Sequence, residues 1–187
     1  RHAFSYMPET TELERRNKAL FAFFMLTGAR DGAVASLRLK HINMIDGCVY
    51  QDAREVKTKN SKTFTTYFMA VDPDYLEAFS AWVKYLKTVN LFGPDDALFP
   101  PPLCKPVAGE FKVIGLKREP YKNANAIRTA IKDAFTRADL QPFTPHAFRK
   151  TLVKWGDTAY QSREAFKAFS QNIGHSSVVT TVSAYCQ

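Results

Sequence analysis

Residues 11–30 read TELERRNKALFAFFMLTGAR, and this stretch organises the rest of the chain. Thr10 or Thr11 can cap a helix, because a side-chain oxygen accepts from an N–H that the first turn leaves unsatisfied. Glu12 and Glu14 follow in that turn, where the positive end of the helix dipole favours acids. Leu13, Leu20, Phe23, Phe24 and Leu26 carry the apolar face of a helix. Gly28 suits its stop, since the left-handed backbone that ends many helices costs glycine least. The apolar run from Ala19 to Leu26 is well short of the roughly 18 residues that span a bilayer, so it predicts a buried helix face. Arg30 falls just past the stop, beneath this apolar helix. A charge in such a junction needs a partner or an anion, and the plainest partner is a structural salt bridge.

Outward from there, Val34 and Leu37 predict a second, shorter helix. Cys48-Val49-Tyr50 follows the turn Asp46-Gly47, and Phe64 to Met69 is β-branched and aromatic. Between them lies the polar, turn-forming stretch Lys57-Thr58-Lys59-Asn60-Ser61-Lys62. Val49 to Met69 therefore predicts a small antiparallel sheet with a basic turn. Asp72-Pro73 opens a helix through Leu76, Phe79, Trp82, Val83 and Leu86, with proline at the first turn where its missing N–H does no harm. Gly93 to Lys122 holds six of the ten prolines and predicts a long surface loop with a short strand near Phe111. Further helices are expected over Asn123 to Ala138, from Thr144-Pro145 to about Ala159, over Ser162 to Gln171 with Gly174 closing it, and from Ser177 to Tyr185. The fold class is mainly α with a small antiparallel β-sheet (α+β).

At 187 residues with 45% apolar types, the chain suits one domain with a sizeable core. It shows no signal peptide. Cys48, Cys104 and Cys186 are odd in number and widely spaced, with no CxxC pair and no metal-ligand spacing. That favours a reduced, cytoplasmic setting, and the lack of a long apolar run favours no membrane. The net charge of +8 and pI near 9.4 favour polyanionic partners. The chain opens on Arg1 and stops two residues past Tyr185, which reads as an excised domain.

Chemistry concentrates in three places. In Thr144-Pro145-His146-Ala147-Phe148-Arg149, threonine is a candidate cap and proline a candidate first helical residue. His146 and Arg149, three apart, share a face at a helix N-terminus that favours an anion. A guanidinium there can grip a phosphate through two parallel hydrogen bonds; the bland reading is a surface His and a surface Arg. Ile173-Gly174-His175 is on its own a helix stop with a half-buried histidine. Tyr185 is on its own an aromatic anchor of the last helix. Thr27-Gly28-Ala29-Arg30, followed by Leu37-Arg38, completes the set.

Taken in order, T-G-A-R, a basic β-turn, P-H-x-x-R, G-H and a near-terminal Tyr resemble the tyrosine recombinase (phage integrase) family. The resemblance runs from about Thr11 to Tyr185. It implies a single catalytic domain over 1–187, with the smaller N-terminal DNA-binding domains and the C-terminal tail absent. It implies Tyr185 as nucleophile, Arg30 and Arg149 as a clamp on the scissile phosphate, and His146 and His175 as assistants. The family's general acid is a lysine on a β-hairpin. Alignment to the following strand favours Lys59, with Lys57 the alternative and Lys62 less favoured. The implied reaction cleaves and rejoins DNA strands through a 3′-phosphotyrosine. It needs no metal and no cofactor, because cationic side chains supply the charge and the phosphotyrosine conserves the bond energy. The implied partners are double-stranded DNA attachment sites and three further protomers in a synapse, in the nucleoid of a bacterial or phage-infected cell. A catalytically impaired DNA-binding relative and a type IB topoisomerase-like enzyme are the alternatives. The chain departs from the pattern in three places. Ala33 stands where the family often has an acid, with Asp31 the nearest carboxylate. His175 and Tyr185 are ten apart where nine is commoner. Lys150 stands where many relatives have a second histidine.

Overall fold

The computed structural model describes residues 1–107 and 109–175. A single turn, α1 (His2–Ser5), precedes the central helix α2 (Glu12–Thr27). Thr11 is the cap: its hydroxyl accepts from the Glu14 N–H at 3.2 Å while the Glu14 carboxylate accepts from the Thr11 N–H at 2.8 Å. Gly28 ends the helix at φ +58°, its N–H donating to the Phe24 carbonyl. The middle of α2 is buried on almost every side, from Ala19 through Phe24. It packs against α4 (Pro73–Thr88) and α6 (Pro145–Ala159). Phe23 meets Phe79 at 5.1 Å between ring centres, and Phe21 meets Phe148 edge-on at 4.6 Å. Each such ring contributes about 1.5–3 kcal/mol by leaving water.

The short helix α3 (Asp31–Ser36) buries Val34, and Leu37 follows it inward. Then comes an antiparallel sheet, β1 (Ile42–Asn43), β2 (Cys48–Gln51) and β3 (Phe64–Tyr67), with Val49 opposite Thr66. The expected sheet thus carries one extra, two-residue strand. A 3-10 turn at Lys59–Ser61 lies in the β2–β3 connection.

The stretch Gly93 to Lys122 holds the expected strand near Phe111 but otherwise differs from the expected loop. It carries a second two-stranded sheet, β4 (Pro102–Val107) and β5 (Glu110–Leu116). The prolines suggested a loop because proline cannot donate to a ladder. A two-stranded sheet has only edge strands, and there proline is tolerated: Pro102 and Pro106 sit opposite Leu116 and Phe111. Only the base of this hairpin is covered; Phe111 is 80% exposed.

The chain ends its described part with α5 (Asn125–Arg137), α6 and α7 (Arg163–Asn172). Pro145 is buried at the start of α6. Thr144 takes the cap position, but its hydroxyl accepts no capping bond. The Ser162 hydroxyl does cap α7 through the Ala165 N–H. A smaller core of Met69, Leu152, Val153, Phe169 and Ile173 joins α6 and α7 to the end of the sheet. The expected helix over Ser177 to Tyr185 lies outside the described residues. Among the described residues no helix is long and apolar enough to cross a membrane.

Candidate active site

Arg149 is the centre of the site, and it is not a surface residue: only 2% of it is exposed. Phe148 and Leu152 on the same helix are buried in the cores, which turns Arg149 inward. Its guanidinium donates to the Gly28 carbonyl at 3.0 Å and to the Ile173 carbonyl at 2.5 Å. These two bonds fix the fork between the end of α2 and the end of α7. Gly28 makes the approach possible, since a Cβ there would stand 3.1 Å from a Leu152 methyl on a left-handed backbone.

Arg30 and Lys59 line a small cavity with Arg149, along with Gln51, Thr58 and Thr66. The Thr58 hydroxyl is buried and has no hydrogen-bond partner among the described residues. A buried hydroxyl beside three cations is suited to an oxygen-rich anion. A neighbouring cleft of about 280 Å³ is lined by Arg30, Asp31, Arg128, Pro145, His146 and Arg149. Arg30 stands at the N-cap of α3 and faces both spaces. His175 follows α7 and is 5% exposed. Burial pushes its imidazole down to about 4, with the charges of Arg149, Arg30, Lys62 and Lys59 adding to the effect. Burial also lowers His146, together with Arg149, Lys150 and Arg30, while Asp31 opposes them. Both histidines are therefore neutral near pH 7, each with one ring N–H to donate and one ring nitrogen to accept.

The three lysines weighed from the sequence are placed differently. Lys59 lines the cavity. The Lys57 ammonium instead donates to the Lys122 carbonyl at 2.7 Å, and its backbone N–H donates to the Ser36 hydroxyl. Lys62 lies over the Phe64 ring at 5.9 Å. Ala33 is 1% exposed and lines the floor of the cavity. The nearest carboxylate, Asp31, pairs with Arg128 of α5. Arg30, Lys59, His146 and Arg149 thus line adjoining spaces, and His175 lies within the field of Arg149, Arg30 and Lys59. Tyr185 lies outside the described residues.

Sequence reading missed the residues that hold this arrangement. The Asn172 side-chain amide accepts from the Tyr67 N–H at 2.6 Å and donates to the Tyr67 carbonyl at 2.9 Å, as a neighbouring strand would. The Thr66 hydroxyl donates to the Asn172 carbonyl and accepts from the buried Gln51 side chain. Gly174, at φ +79°, lies flat against Phe64; a Cβ would fall 2.7 Å from its ring. These contacts lock the end of α7, and so His175, to the hairpin that carries Lys59. Nothing local in the sequence signals the contacts to the end of α7, because each of those pairs is more than 100 residues apart.

The fold is shared with solved recombinases. The crystal structure of XerA recombinase matches with a TM-score of 0.60 and 19% identity, over 97% of this chain and 58% of that one. The Tn1549 transposon integrase in complex with circular intermediate DNA matches with a TM-score of 0.55 and 16% identity, over 99% of this chain and 58% of that one. The same integrase in complex with transposon right end DNA gives 0.56 and 15%, over 100% and 58%. The chain therefore spans little more than half the length of these structures. No curated protein matches it. The model of the phage integrase family matches residues 3–187, nearly the whole chain, and the chain belongs to that family.

Proposed function

We propose that this chain is the catalytic domain of a site-specific DNA recombinase that cuts and rejoins strands through a covalent 3′-phosphotyrosine at Tyr185. The observation that carries the reading is the convergence of Arg30, Lys59 and Arg149 on one cavity, with neutral His175 in their field. The Tyr185 oxygen attacks the scissile phosphorus, the bond to the 5′ oxygen breaks, and the tyrosine proton passes to a base, for which His146 is the candidate. A tyrosine hydroxyl, with a pKa near 10, needs such help at neutral pH. Negative charge grows on the non-bridging oxygens, and two arginines held beforehand stabilise it; fixed electrostatics of this kind is usually the largest catalytic contribution. Lys59 protonates the leaving 5′ oxygen, with Lys57 the alternative. His175 donates a hydrogen bond to the phosphate. Rejoining runs the same steps backwards from a free 5′ hydroxyl, so no nucleotide is consumed. The substrates are double-stranded attachment sites, and four protomers form the synapse.

The test is incubation with nicked suicide duplexes carrying candidate attachment sites, scored for a covalent protein–DNA adduct. Wild type should form the adduct, and Tyr185→Phe should lose it while binding the duplex about as well. An undiminished adduct from the Phe variant would overturn the assignment. Binding without any adduct from wild type would favour the catalytically impaired relative.

A further inference from the structure

Asp31 is the residue next to Arg30, and both line the same cleft. A free carboxylate there would do two harmful things if Arg30 grips a phosphate. It would repel the incoming anion, and it would compete for the Arg30 guanidinium. The structure shows how that carboxylate is occupied. One Asp31 oxygen accepts from the Gly32 N–H at 2.8 Å, and the other pairs with the Arg128 guanidinium. Arg128 comes from α5, 97 residues along the chain, on a helix packed against α3. Its side chain is half exposed, so the pair adds little to folding stability. None of the motifs that mark the site includes Arg128.

We propose that Arg128 is a positioning residue: it holds the Asp31 carboxylate on α5, away from Arg30, and so keeps the Arg30 guanidinium available to the DNA phosphate. The proposal rests on the reading of Arg30 as a phosphate grip. Its signature is epistasis. Removing Arg128 harms only while Asp31 keeps its charge.

Duplex affinity and the rate of adduct formation are measured for four proteins: Arg128→Ala, Arg128→Lys, Asp31→Asn, and Arg128→Ala combined with Asp31→Asn. Melting temperatures confirm that each is folded. Arg128→Ala should weaken affinity and slow the adduct about fivefold or more, the scale of one partly screened charge contact. Arg128→Lys, which keeps the pair, should stay near wild type. Asp31→Asn alone, and Asp31→Asn with Arg128→Ala, should lie within about twofold of wild type, because the carboxylate charge is gone. A double variant as poor as Arg128→Ala would overturn the proposal. It would show that Arg128 itself touches DNA, and the slope of affinity against salt would then fall by about one phosphate contact. Arg128→Ala indistinguishable from wild type would overturn it too. If wild type forms no adduct, the recombinase reading fails, while the affinity series still decides the role of Arg128.

Discussion

The molecule carries two basic β-hairpins, and only one of them is built into the site. The β2–β3 hairpin, with Lys57, Lys59 and Lys62 in its turn, is tied down at many points. Its turn is held by Ser36 and the Lys122 carbonyl, and its second strand by Asn172 and the face of Gly174. The β4–β5 hairpin sets Lys105 directly opposite Lys112. Beyond its base, Lys105 through Ile114 are exposed where described, and among the described residues its outer rungs bond only to each other. Like charges facing each other across a ladder repel, and open water is what makes the pair tolerable. The contrast teaches that a lysine-bearing hairpin becomes a candidate for chemistry through the bonds that fix its backbone. Lysines are common to both hairpins.

The largest effect is expected from removing lysines from each hairpin. Lys59→Ala should slow strand cleavage by about 10²–10⁴-fold, the usual range for a lost general acid. A substrate with a better 5′ leaving group should restore it. Lys105→Ala with Lys112→Ala should leave the cleavage step itself unchanged at saturating DNA. Rescue of Lys57→Ala by the better leaving group, without rescue of Lys59→Ala, would move the acid to Lys57 and show that its bond to Lys122 is broken on DNA.

Two glycines show the same difference at a smaller scale. Gly174 and Gly109 both have positive φ, +79° and +85°, but an added Cβ would strike Phe64 at the first and meet nothing within 4 Å at the second. Gly174→Ala should cost about 2–4 kcal/mol, from backbone strain together with overpacking, and should slow cleavage by shifting His175. Gly109→Ala should cost about 1–2 kcal/mol, the left-handed backbone alone. Urea unfolding reads both, and equal costs would mean that Phe64 moves aside freely.

The last effect expected is in pH. His175 titrates at about 4 in the folded chain and near 6.5 when free, so the unfolded chain binds the extra proton first. Its contribution to stability is complete above about pH 6.5 and is lost as the pH falls toward 4. Melting temperatures of the DNA-free protein should fall over that window, and His175→Gln should flatten the fall. Asp52, which Arg54 holds at about 2 against an ordinary 3.8, acts in a lower window and does not obscure it. An unchanged profile in the Gln variant would count against a buried neutral His175.

What the sequence made legible is what is decided locally. The Thr11 cap, the Gly28 stop, Pro73 and Pro145 at helix starts, and the β2–β3 strands all follow from neighbours a few residues apart. A strand near Phe111 was legible, but its pairing with β4 was hidden because the prolines of β4 carry the same signal in a loop and in an edge strand. In the site, the residue types in order pointed to Arg30, His146, Arg149 and His175, and the structure brings these together. Their supports were not legible. Asn172 mimics a strand for Tyr67, and Arg128 answers Asp31, only because the fold closes loops of about 100 residues. That Arg149 would be buried was equally hidden, since a helix start with an arginine on it reads as surface.

The two carbonyls held by Arg149 belong to residues 121 positions before it and 24 after it. The grip therefore cannot form until the chain has been made past Ile173. A polypeptide halted before Ile173 carries Arg30, Lys59, His146 and Arg149, yet has no second carbonyl to hold the fork in place. Long-range closure of this kind comes late in folding. On the proposed function, a fragment that ends before Ile173 carries the cations without a fixed clamp and should not cleave DNA.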